Sequence, residues 1–517
     1  MSEQAPLISE SNKRIAKNTL ALYFRQIIVM VVGLFTTRIV LQTLGVIDLG
    51  INDVVGSVVA MFGFISGTLM SITQRFISVE LGKGGDHTTL RKIFSTSMAL
   101  HIIAAVIVLI LAQTAGLWFL NTYLVIPEER MVAANWVYQF AVFGFALSLL
   151  NAPLMALVIS HEDMHIFGFM GIFDVIIRLL TVYLLVIINA DKLIFLAMFG
   201  FGVTCLFWLF YRFYCRWKYK YARFQWVWDK GLVKELSGFG GWVFGNSVFA
   251  ILREQGITIM LNIFFGPAVN AARGLAGAVN MALLSFGNNF RQAIVPQITK
   301  SYAAKDFEAT WSLVERGTRI IFFLFWVFSV PLLLKTEFVL GLWLGKMPEY
   351  TAIFVRFMIV LILTETFFFT LYEIVSASGK LRTIYCVGYG YSLLILIFSY
   401  LVLKMGYSPQ YVFVVTLVLR FLYAFPVNFT LAKKMFDFPL LFFAQKAAIP
   451  IFFVSVISFT PFYFINKLFS ESFFDSGIII TTSMLWTGII VMFIGLRKSE
   501  RVKIYSFVKR KFLSNGK

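Results

Sequence analysis

The sequence predicts an all-α polytopic membrane protein with about 14 transmembrane helices. Of its 517 residues, 59% are hydrophobic and only 14% are charged, whereas soluble domains carry roughly 25% charged residues. A soluble chain of this size leaves about a quarter of its area in contact with water and cannot hide so much apolar surface. Runs of about 20 apolar residues, the length that crosses the hydrocarbon core, also recur along the whole chain.

Fourteen such runs are predicted as spans, at 18–41, 51–72, 93–120, 132–158, 167–189, 193–214, 237–265, 269–296, 311–334, 351–376, 383–403, 409–432, 447–466 and 477–496. We expect two pseudo-symmetric six-helix lobes followed by two extra helices. The predicted N-lobe is 1–215, a cytoplasmic inter-lobe loop is 216–236, the C-lobe is 237–432, and 433–517 hold spans 13 and 14 with a basic tail.

The basic residues predict the orientation of these spans. Lys and Arg number 45 against 26 Asp and Glu, a formal net charge of +19. With the amino terminus in the cytoplasm, the segments on that side and their flanks hold 30 Lys and Arg, and the opposite loops hold 6. Because cytoplasmic loops carry the excess of basic residues, we expect both termini in the cytoplasm. One inner loop, 161–165, has no basic residue, and the sequence gives no reason for it.

Two basic segments are expected to lie at the membrane surface. Segment 215–236 interleaves aromatic and basic residues, a pattern that can stack nucleic-acid bases but beside apolar spans is typical of an interfacial belt. The tail from Arg497, with Lys509, Arg510 and Lys511, is expected to contact anionic lipid headgroups. No nucleic-acid partner is therefore predicted.

An internal repeat relates the two halves of the chain. The stretch from Leu44, LGVIDLGINDVVG, resembles FGPAVNAARGLAG from Phe265, and each precedes a span, a basic loop and another span. Gly45 matches Gly266 and Asp86 matches Asp306, with offsets of 221 and 220. Six spans separate the copies, so both enter the membrane in the same sense. Parallel repeats around a shared cavity are typical of transporters.

Basic residues inside the predicted spans suggest the substrate. Nine remain there, and all are Arg, although each costs about 2.5–3.5 kcal/mol at the bilayer centre. Arg keeps its charge and offers a planar fork to carboxylate or phosphate. Fewer acids lie at this depth, namely Asp174, Glu254, Glu365 and Glu373, so we expect an anionic substrate. The nine are Arg25, Arg38, Arg178, Arg253, Arg273, Arg291, Arg319, Arg356 and Arg420.

Not all of these side chains need a functional role. Arg25, Arg319 and Arg356 lie near enough to an interface for snorkelling to explain them. Asp174 and Arg178 are four residues apart on one helix face and can form a purely structural ion pair.

Spans 7 and 8 hold the stronger candidates. Arg253, Glu254 and Gln255 lie mid-span, where three consecutive polar residues cannot all face lipid. Span 8 carries a polar stripe at helical spacing that fits the wall of a watery cavity, or else amides bonded between packed helices. The stripe is Asn270, Arg273, Asn280, Asn288 and Arg291.

Enzyme chemistry is not predicted. The sequence has no Gly-rich phosphate loop for ATP hydrolysis, no large outer loop for a polymerase or ligase, and no metal-ligand or redox spacing around Cys205, Cys215 and Cys386. We expect no cofactor and no metal. A non-catalytic assembly scaffold is disfavoured, because it would not need nine intramembrane Arg. A multidrug cation antiporter would favour an acidic cavity, so the excess of Arg over acidic residues in the spans argues against it.

A family resemblance lies in the first three spans. Residues 18–24, NTLALYF, and 37–50, TRIVLQTLGVIDLG, resemble the start of bacterial polysaccharide-unit flippases of the O-antigen type, and 73–84 continue the likeness. These flippases belong to the multidrug/oligosaccharidyl-lipid/polysaccharide exporter superfamily. Leu49 stands where that family more usually has an aromatic residue. Beyond span 3 the resemblance is one of topology only.

The resemblance implies a transporter that moves a polyprenyl-diphosphate-linked oligosaccharide across the inner membrane by alternating access, for cell-surface polysaccharides such as lipopolysaccharide O-antigen. Cavity Arg residues hold the diphosphate in such flippases. The matching substrate-binding set here is Arg38, Arg253, Arg273 and Arg291, with Asn280 and Asn288 from the stripe. Glu254 or Asp174 is the expected ion-coupling carboxylate. In the lipid II flippase branch the last two spans form a groove for the lipid tail, and spans 13 and 14 are expected to do the same.

The expected partners are membrane lipid, the lipid-linked oligosaccharide and, transiently, polysaccharide assembly enzymes, with the chain itself a monomer. The alternative function is a cation-coupled multidrug or small-molecule exporter of the same superfamily.

Overall fold

A computed structural model describes residues 4–226, 229–378, 381–469 and 471–502. Within its helices, the side chains of 4–25, 27, 234–243, 246, 286, 288–289, 292–293 and 381 are outside the description. The chain is 88% helical with no strand in the described ranges, which confirms the all-α prediction.

Eighteen α-helices follow one another along the described chain. They are α1 Gln4–Ala60, α2 Gly63–Gly82, α3 His87–Leu111, α4 Leu117–Tyr123, α5 Met131–Ser160, α6 Met164–Ile187, α7 Lys192–Lys218, α8 Lys230–Phe265, α9 Pro267–Ala303, α10 Phe307–Leu334, α11 Thr336–Leu344, α12 Thr351–Ser378, α13 Leu381–Lys404, α14 Tyr411–Leu419, α15 Phe425–Phe436, α16 Leu440–Phe443, α17 Ile449–Asn466 and α18 Phe473–Ile490. π-helical turns join several of them, for example Arg420–Ala424 between α14 and α15.

Twelve helical segments in the described part of the chain are long and apolar enough to cross a membrane, so the chain is a multi-pass membrane protein. The other two predicted spans are also helical. Residues 51–72 fall on the end of α1 and on α2, which a turn at Met61 and Phe62 separates, and 269–296 lie within α9. The first is not one continuous helix because that turn divides it, and the second carries the Asn and Arg residues of the polar stripe.

Helix α1 bends at Gly45. It contains 57 residues, and a straight helix of that length would run about 85 Å, nearly three times the thickness of the hydrocarbon core. Gly45 has φ 80° and ψ 177°, a conformation that only glycine adopts without strain. The kink therefore divides α1 into a first span and the start of a second.

The internal repeat is confirmed in the backbone. Gly266, the predicted equivalent of Gly45, has φ 75° and ψ −175°. Asp86 and Asp306 both cap a helix amino terminus, accepting hydrogen bonds from Thr88 and Thr89 and from Ala309. Helices α2 and α9 end at equivalent positions, 82 and 303. The two copies therefore share a turn, a helix end and a cap despite low identity.

The chain divides into two compact units, and each is described by itself. The first comprises 1–275, 348–350 and 385–416. Its core packs the carboxyl end of α1 against α4, α5 and the start of α7, around buried Ile51, Val55 and Tyr138. The predicted lobe bounds, 1–215 and 237–432, stay a prediction.

The second unit comprises 276–347, 351–384 and 417–517. Helix α10 is its most buried element: Val314, Ile321 and Phe325 are fully enclosed. Trp326 donates to Ser458 Oγ at 2.7 Å and so ties α10 to α17. The last two membrane helices are thus packed directly on α10.

Arg319 corrects one prediction, because it does not snorkel. Its side chain is 3% exposed, and Nη2 lies 2.7 Å from Glu500 Oε2. Glu315, four residues earlier, lies 3.8 Å from Nη1. The sequence could not show this pairing, since Glu500 is 181 residues away. Arg356 does pair near a helix end, 2.6 Å from Glu337 Oε2 with 41% of its side chain exposed. The side chain of Arg25 lies outside the described residues.

Loop 161–165, which has no basic residue, pairs with a lysine from another part of the chain. Asp163 in that loop accepts two bonds from Lys218 Nζ, at 2.7 and 2.6 Å, and one from the Tyr219 hydroxyl. Burial alone would raise the pKa of Asp163, but the hydrogen bonds from Lys218 and Tyr219 outweigh it and hold that pKa below its ordinary value. The positive charge beside this loop therefore comes from Lys218, the last residue of α7.

Candidate functional site

The turn at Gly266 positions the principal candidate residues. Helix α8 ends at Phe265, and α9 begins at Pro267, a residue favoured at the first helical position. The reversal lays α9 back along α8, so that Asn270 Nδ2 donates to the Thr258 carbonyl at 2.8 Å. Asn270 is fully buried and serves packing, as the interhelical amide alternative predicted.

Arg273, one turn further along α9, is held by side chain and backbone of α8. Its Nε donates to Thr258 Oγ1 at 2.9 Å, and Nη2 donates to the carbonyl and to Oε2 of Glu254, both at 3.2 Å. Only 11% of the Arg273 side chain is exposed. Three acceptors therefore fix the guanidinium in one orientation.

Arg253 brings a second guanidinium to the same carboxylate. Its Nε and Nη2 lie 3.3 and 3.1 Å from Glu254 Oε1, and its Cζ lies 5.9 Å from the ring centre of Tyr391 on α13. We call Arg253, Glu254, Thr258 and Arg273 the α8–α9 ionic cluster. Three predicted site residues, Arg253, Glu254 and Arg273, thus come together.

The cluster holds more positive than negative side chains, and its carboxylate is its most exposed charged group. Among these four residues alone, two guanidiniums face one carboxylate, which is a formal charge of +1. The Glu254 side chain is 55% exposed, whereas the two Arg side chains are 25% and 11% exposed. A planar guanidinium binds phosphate oxygens as readily as carboxylate oxygens.

Asp53 is a neighbouring carboxylate that sequence reasoning missed. It lies on α1 against Gly274, the residue after Arg273. A Cβ atom at Gly274 would come within 1.8 Å of Asp53 Oδ2, so only glycine allows this approach. The internal repeat could have pointed to it, because Asp53 aligns with Gly274 at the offset of 221 residues.

Arg291 belongs to a separate pair in the second unit. Its Nε donates to Glu373 Oε1 at 2.7 Å, and its Cζ lies 5.8 Å from the Phe369 ring centre. Glu373 is 8% exposed, while the Arg291 side chain is 41% exposed. Asn280 is half-buried on the same helix, and the side chain of Asn288 lies outside the described residues.

The remaining predicted residues do not join the cluster. Arg38 is half-buried on α1. Asp174 accepts from Arg178 Nε at 2.9 Å along α6, which confirms the predicted ion pair, and both side chains are at least one-third exposed. Arg420 donates to Thr364 Oγ1 at 2.8 Å and lies 3.7 Å from Glu365.

No group of three His, Cys, Asp or Glu suited to a metal ion occurs in the part of the chain that the structure describes. Cys205, Cys215 and Cys386 are free thiols.

Comparison with known proteins identifies the fold. No protein-family model matches the chain. An uncharacterized membrane protein, EpsK of Bacillus subtilis (strain 168), is 22% identical over 295 residues, which is 56% of this chain and 57% of that protein. The chain thus aligns with little more than half the length of this curated relative.

Solved structures match over far more of the chain. The lipid II flippase MurJ, in an inward closed conformation, has a TM-score of 0.71 at 12% identity, covering 95% of this chain and all of that one. An inward-facing multidrug resistance MATE transporter of the MOP superfamily has a TM-score of 0.56 over 76% of this chain and 90% of its own. A MOP transporter from Pyrococcus furiosus, whose pocket polarity is described as reversed, scores 0.56 over 80% and 94%. The chain therefore has the fold of these solved transporters, which is that of multidrug/oligosaccharidyl-lipid/polysaccharide (MOP) transporters.

Proposed function

We propose that this protein is a flippase that moves a polyprenyl-diphosphate-linked oligosaccharide across a bacterial inner membrane by alternating access. The observation that carries the proposal is the α8–α9 ionic cluster, a net positive pair of guanidiniums inside a membrane helix pair. The proposed role is transport for cell-surface polysaccharide assembly, not catalysis, and the O-antigen type remains the proposed branch.

The cluster offers the N–H donors that a diphosphate would need. A diphosphate has several anionic oxygens, and Arg253 and Arg273 already hold two carboxylate oxygens of Glu254 at 3.1–3.3 Å. In the proposed cycle the diphosphate displaces Glu254 from both guanidiniums. The freed carboxylate then takes up a proton or a cation, and rebinding of Glu254 releases the diphosphate on the other side. Glu254 is therefore the proposed coupling residue in preference to Asp174, whose partner Arg178 lies on the same helix.

An apolar cavity in the second unit supports a lipid substrate. It has a volume of 590 Å³ and lies between α9, α10 and the residues that follow α18. Its walls include Leu324, Val327 and Val491, and Arg316 and Glu500 stand among its few polar lining residues. A cavity with apolar walls and a charged edge fits a chain of isoprene units better than a water-soluble drug. Its lining includes Val491 and Leu496 of predicted span 14, one of the two spans expected to form the groove for the lipid tail.

The test is lipid translocation by reconstituted protein. Arg253→Ala and Arg273→Ala should each reduce flipping of a fluorescent polyprenyl-diphosphate oligosaccharide in proteoliposomes by at least about tenfold, since a charge-assisted bond contributes about 1.5–3 kcal/mol. Arg178→Ala removes a guanidinium from another ion pair and serves as the control, with near wild-type rates expected. Unchanged rates in both cluster variants would refute the site.

The competing function is a cation-coupled multidrug exporter, because MATE transporters share the fold. Two Arg against one Glu disfavour an organic cation in the cluster. Tight binding of tetraphenylphosphonium to wild-type protein, lost in Glu254→Gln, would favour the exporter over the flippase.

A further inference from the structure

A second cationic pocket lies in the first unit, at the carboxyl end of α7. Its volume is 460 Å³, and it shares no residue with the α8–α9 ionic cluster. Three Arg line it, with no carboxylate among its lining residues: Arg212, Arg216 and Arg223. All three side chains are exposed, and none takes part in a salt bridge with another described residue. The pocket therefore carries three uncompensated positive charges.

Helix periodicity and a folded-back segment bring these charges together. Arg212 and Arg216 are four residues apart and share one face of α7 with Trp208, over whose ring Arg212 Cζ lies at 5.1 Å. Arg223 comes from the segment 219–226, which turns back after α7 and closes the pocket from the other side. Such a site is built by tertiary structure and is not merely a run of basic residues.

The folded-back segment is pinned in place by three side-chain contacts. The Tyr219 hydroxyl donates to Asp163, the Tyr221 hydroxyl lies 2.9 Å from His161 Nε2, and the Gln225 backbone N–H donates to Ser95 Oγ at 3.3 Å. Tyr219 and Tyr221 are buried, so these aromatic residues are anchors and not part of an interfacial belt. Arg223 is consequently presented to the pocket by an ordered segment.

The pocket has an apolar floor beneath its charged rim. Phe94, Met98 and Ile102 from α3 and Leu150 and Leu154 from α5 line it. A free phosphate would gain nothing from these side chains, whereas the first methylene groups of an acyl chain would be removed from water against them. The volume is within the range of small-molecule sites, roughly 300–1,000 Å³.

The position of the pocket matches the depth of lipid headgroups. Helix α7 is apolar from Lys192 to Lys218, so residues at its end stand at the edge of the hydrocarbon core. Trp217 and Trp226, the residues after the lining residues Arg216 and Gln225, are 80% and 65% exposed, as expected for indole rings at a membrane interface. We propose that this pocket, formed by α3, α5, α7 and segment 219–226, is a specific binding site for the phosphate headgroup of an anionic membrane lipid.

The experiment is a titration of delipidated full-length protein in neutral detergent with dioctanoyl phosphatidylglycerol, followed by native mass spectrometry. The triple variant Arg212→Gln/Arg216→Gln/Arg223→Gln should bind this lipid at least about tenfold more weakly than wild type, since each basic residue near the surface contributes a several-fold factor. The matched control is Lys300→Gln/Lys433→Gln/Lys434→Gln, which removes three exposed charges elsewhere and should bind like wild type. Equal weakening in both triple variants would overturn the proposal, because general surface charge would then explain binding.

Two further arms identify the ligand. Ile102→Trp fills the apolar floor and leaves all three Arg, so it should weaken phosphatidylglycerol binding and keep inorganic phosphate binding unchanged. It also tests the pocket if the triple Arg variant fails to fold. Dioctanoyl phosphatidylcholine should bind wild type at least about tenfold more weakly than phosphatidylglycerol, because its net charge is zero. Inorganic phosphate binding as tightly as phosphatidylglycerol would refute the lipid assignment.

Discussion

At the scale of single residues, Glu254 is the side chain on which the proposed function turns. It is held by Arg253 and Arg273 at once, yet more than half of its side chain is exposed. A carboxylate in that position stabilises two guanidiniums in the empty protein and competes with any phosphate for them. It is thus an internal substitute for the anionic substrate.

Replacing Glu254 with Gln tests this competition. The amide keeps the size of the side chain and loses its charge, so a polyprenyl diphosphate should bind about tenfold more tightly, while turnover in proteoliposomes falls because release lacks a competitor. Native mass spectrometry gives the first quantity and a flipping assay the second. Glu337→Gln is the control, since Glu337 also pairs with an Arg and is 54% exposed. Weaker diphosphate binding by Glu254→Gln would contradict the exchange model.

The sequence predicted which residues would form this cluster but not how they meet. Three consecutive polar residues and a stripe at helical spacing singled out Arg253, Glu254 and Arg273. Their contacts depend on a reversal of the chain at Gly266, and spacing along one helix carries no information about the next. Thr258 and Tyr391 were not predicted as part of the cluster, because a Thr or a Tyr within an apolar span does not stand out by composition.

At the scale of elements, glycine conformation and capping explain why two dissimilar stretches fold alike. Gly45 and Gly266 take the same left-handed turn, and Asp86 and Asp306 start the next long helix in each copy. These positions were visible in the sequence because turns and caps demand particular residue types. The two compact units of the structure depend on packing among many similar apolar faces, which residue types alone do not show, and the predicted lobe bounds stay a prediction.

At the same scale, the contacts of Asp163 with the end of α7 and the residue after it predict how stability depends on pH. Asp163 has a pKa below its ordinary 3.8 because of Lys218 and Tyr219, so its stabilising effect is complete above 3.8 and is lost as pH falls through the folded-state value. Asp163→Asn should therefore lower thermal stability at pH 7, by about 1 kcal/mol given the part-exposed Lys218. The difference from wild type should shrink progressively as the pH falls below 3.8.

Thermal unfolding followed by intrinsic fluorescence, in detergent at a series of pH values, measures this effect. Asp437→Asn is the matched control, because Asp437 is exposed and has a positive φ that Asn also tolerates. A stability difference for Asp163→Asn that stays constant down to pH 3 would show that the ionised carboxylate is not its source.

At the scale of the whole molecule, charge is distributed so that orientation and substrate depend on different residues. Most of the +19 net charge lies in connecting segments, where it sets the predicted orientation. Some Arg residues inside the spans pair with more than one carboxylate, such as Arg319 with Glu315 and Glu500, whereas Arg253 and Arg273 of the α8–α9 ionic cluster share Glu254. Counting basic residues by depth predicted how many Arg lie within the spans but not which carboxylates pair with them, since buried partners come from distant segments.

The orientation itself can be tested across the whole molecule. In a variant without Cys205, Cys215 and Cys386, single cysteines at exposed positions Lys404 and Lys433 should differ in their reaction with a membrane-impermeant maleimide on intact spheroplasts. Lys404 lies in a predicted outer loop and should be labelled at once. Lys433 lies in a predicted inner loop and should react only after the membrane is opened, because an uneven number of spans separates the two positions. Labelling of both cysteines in intact cells, or of Lys433→Cys alone, would reverse or refute the predicted topology.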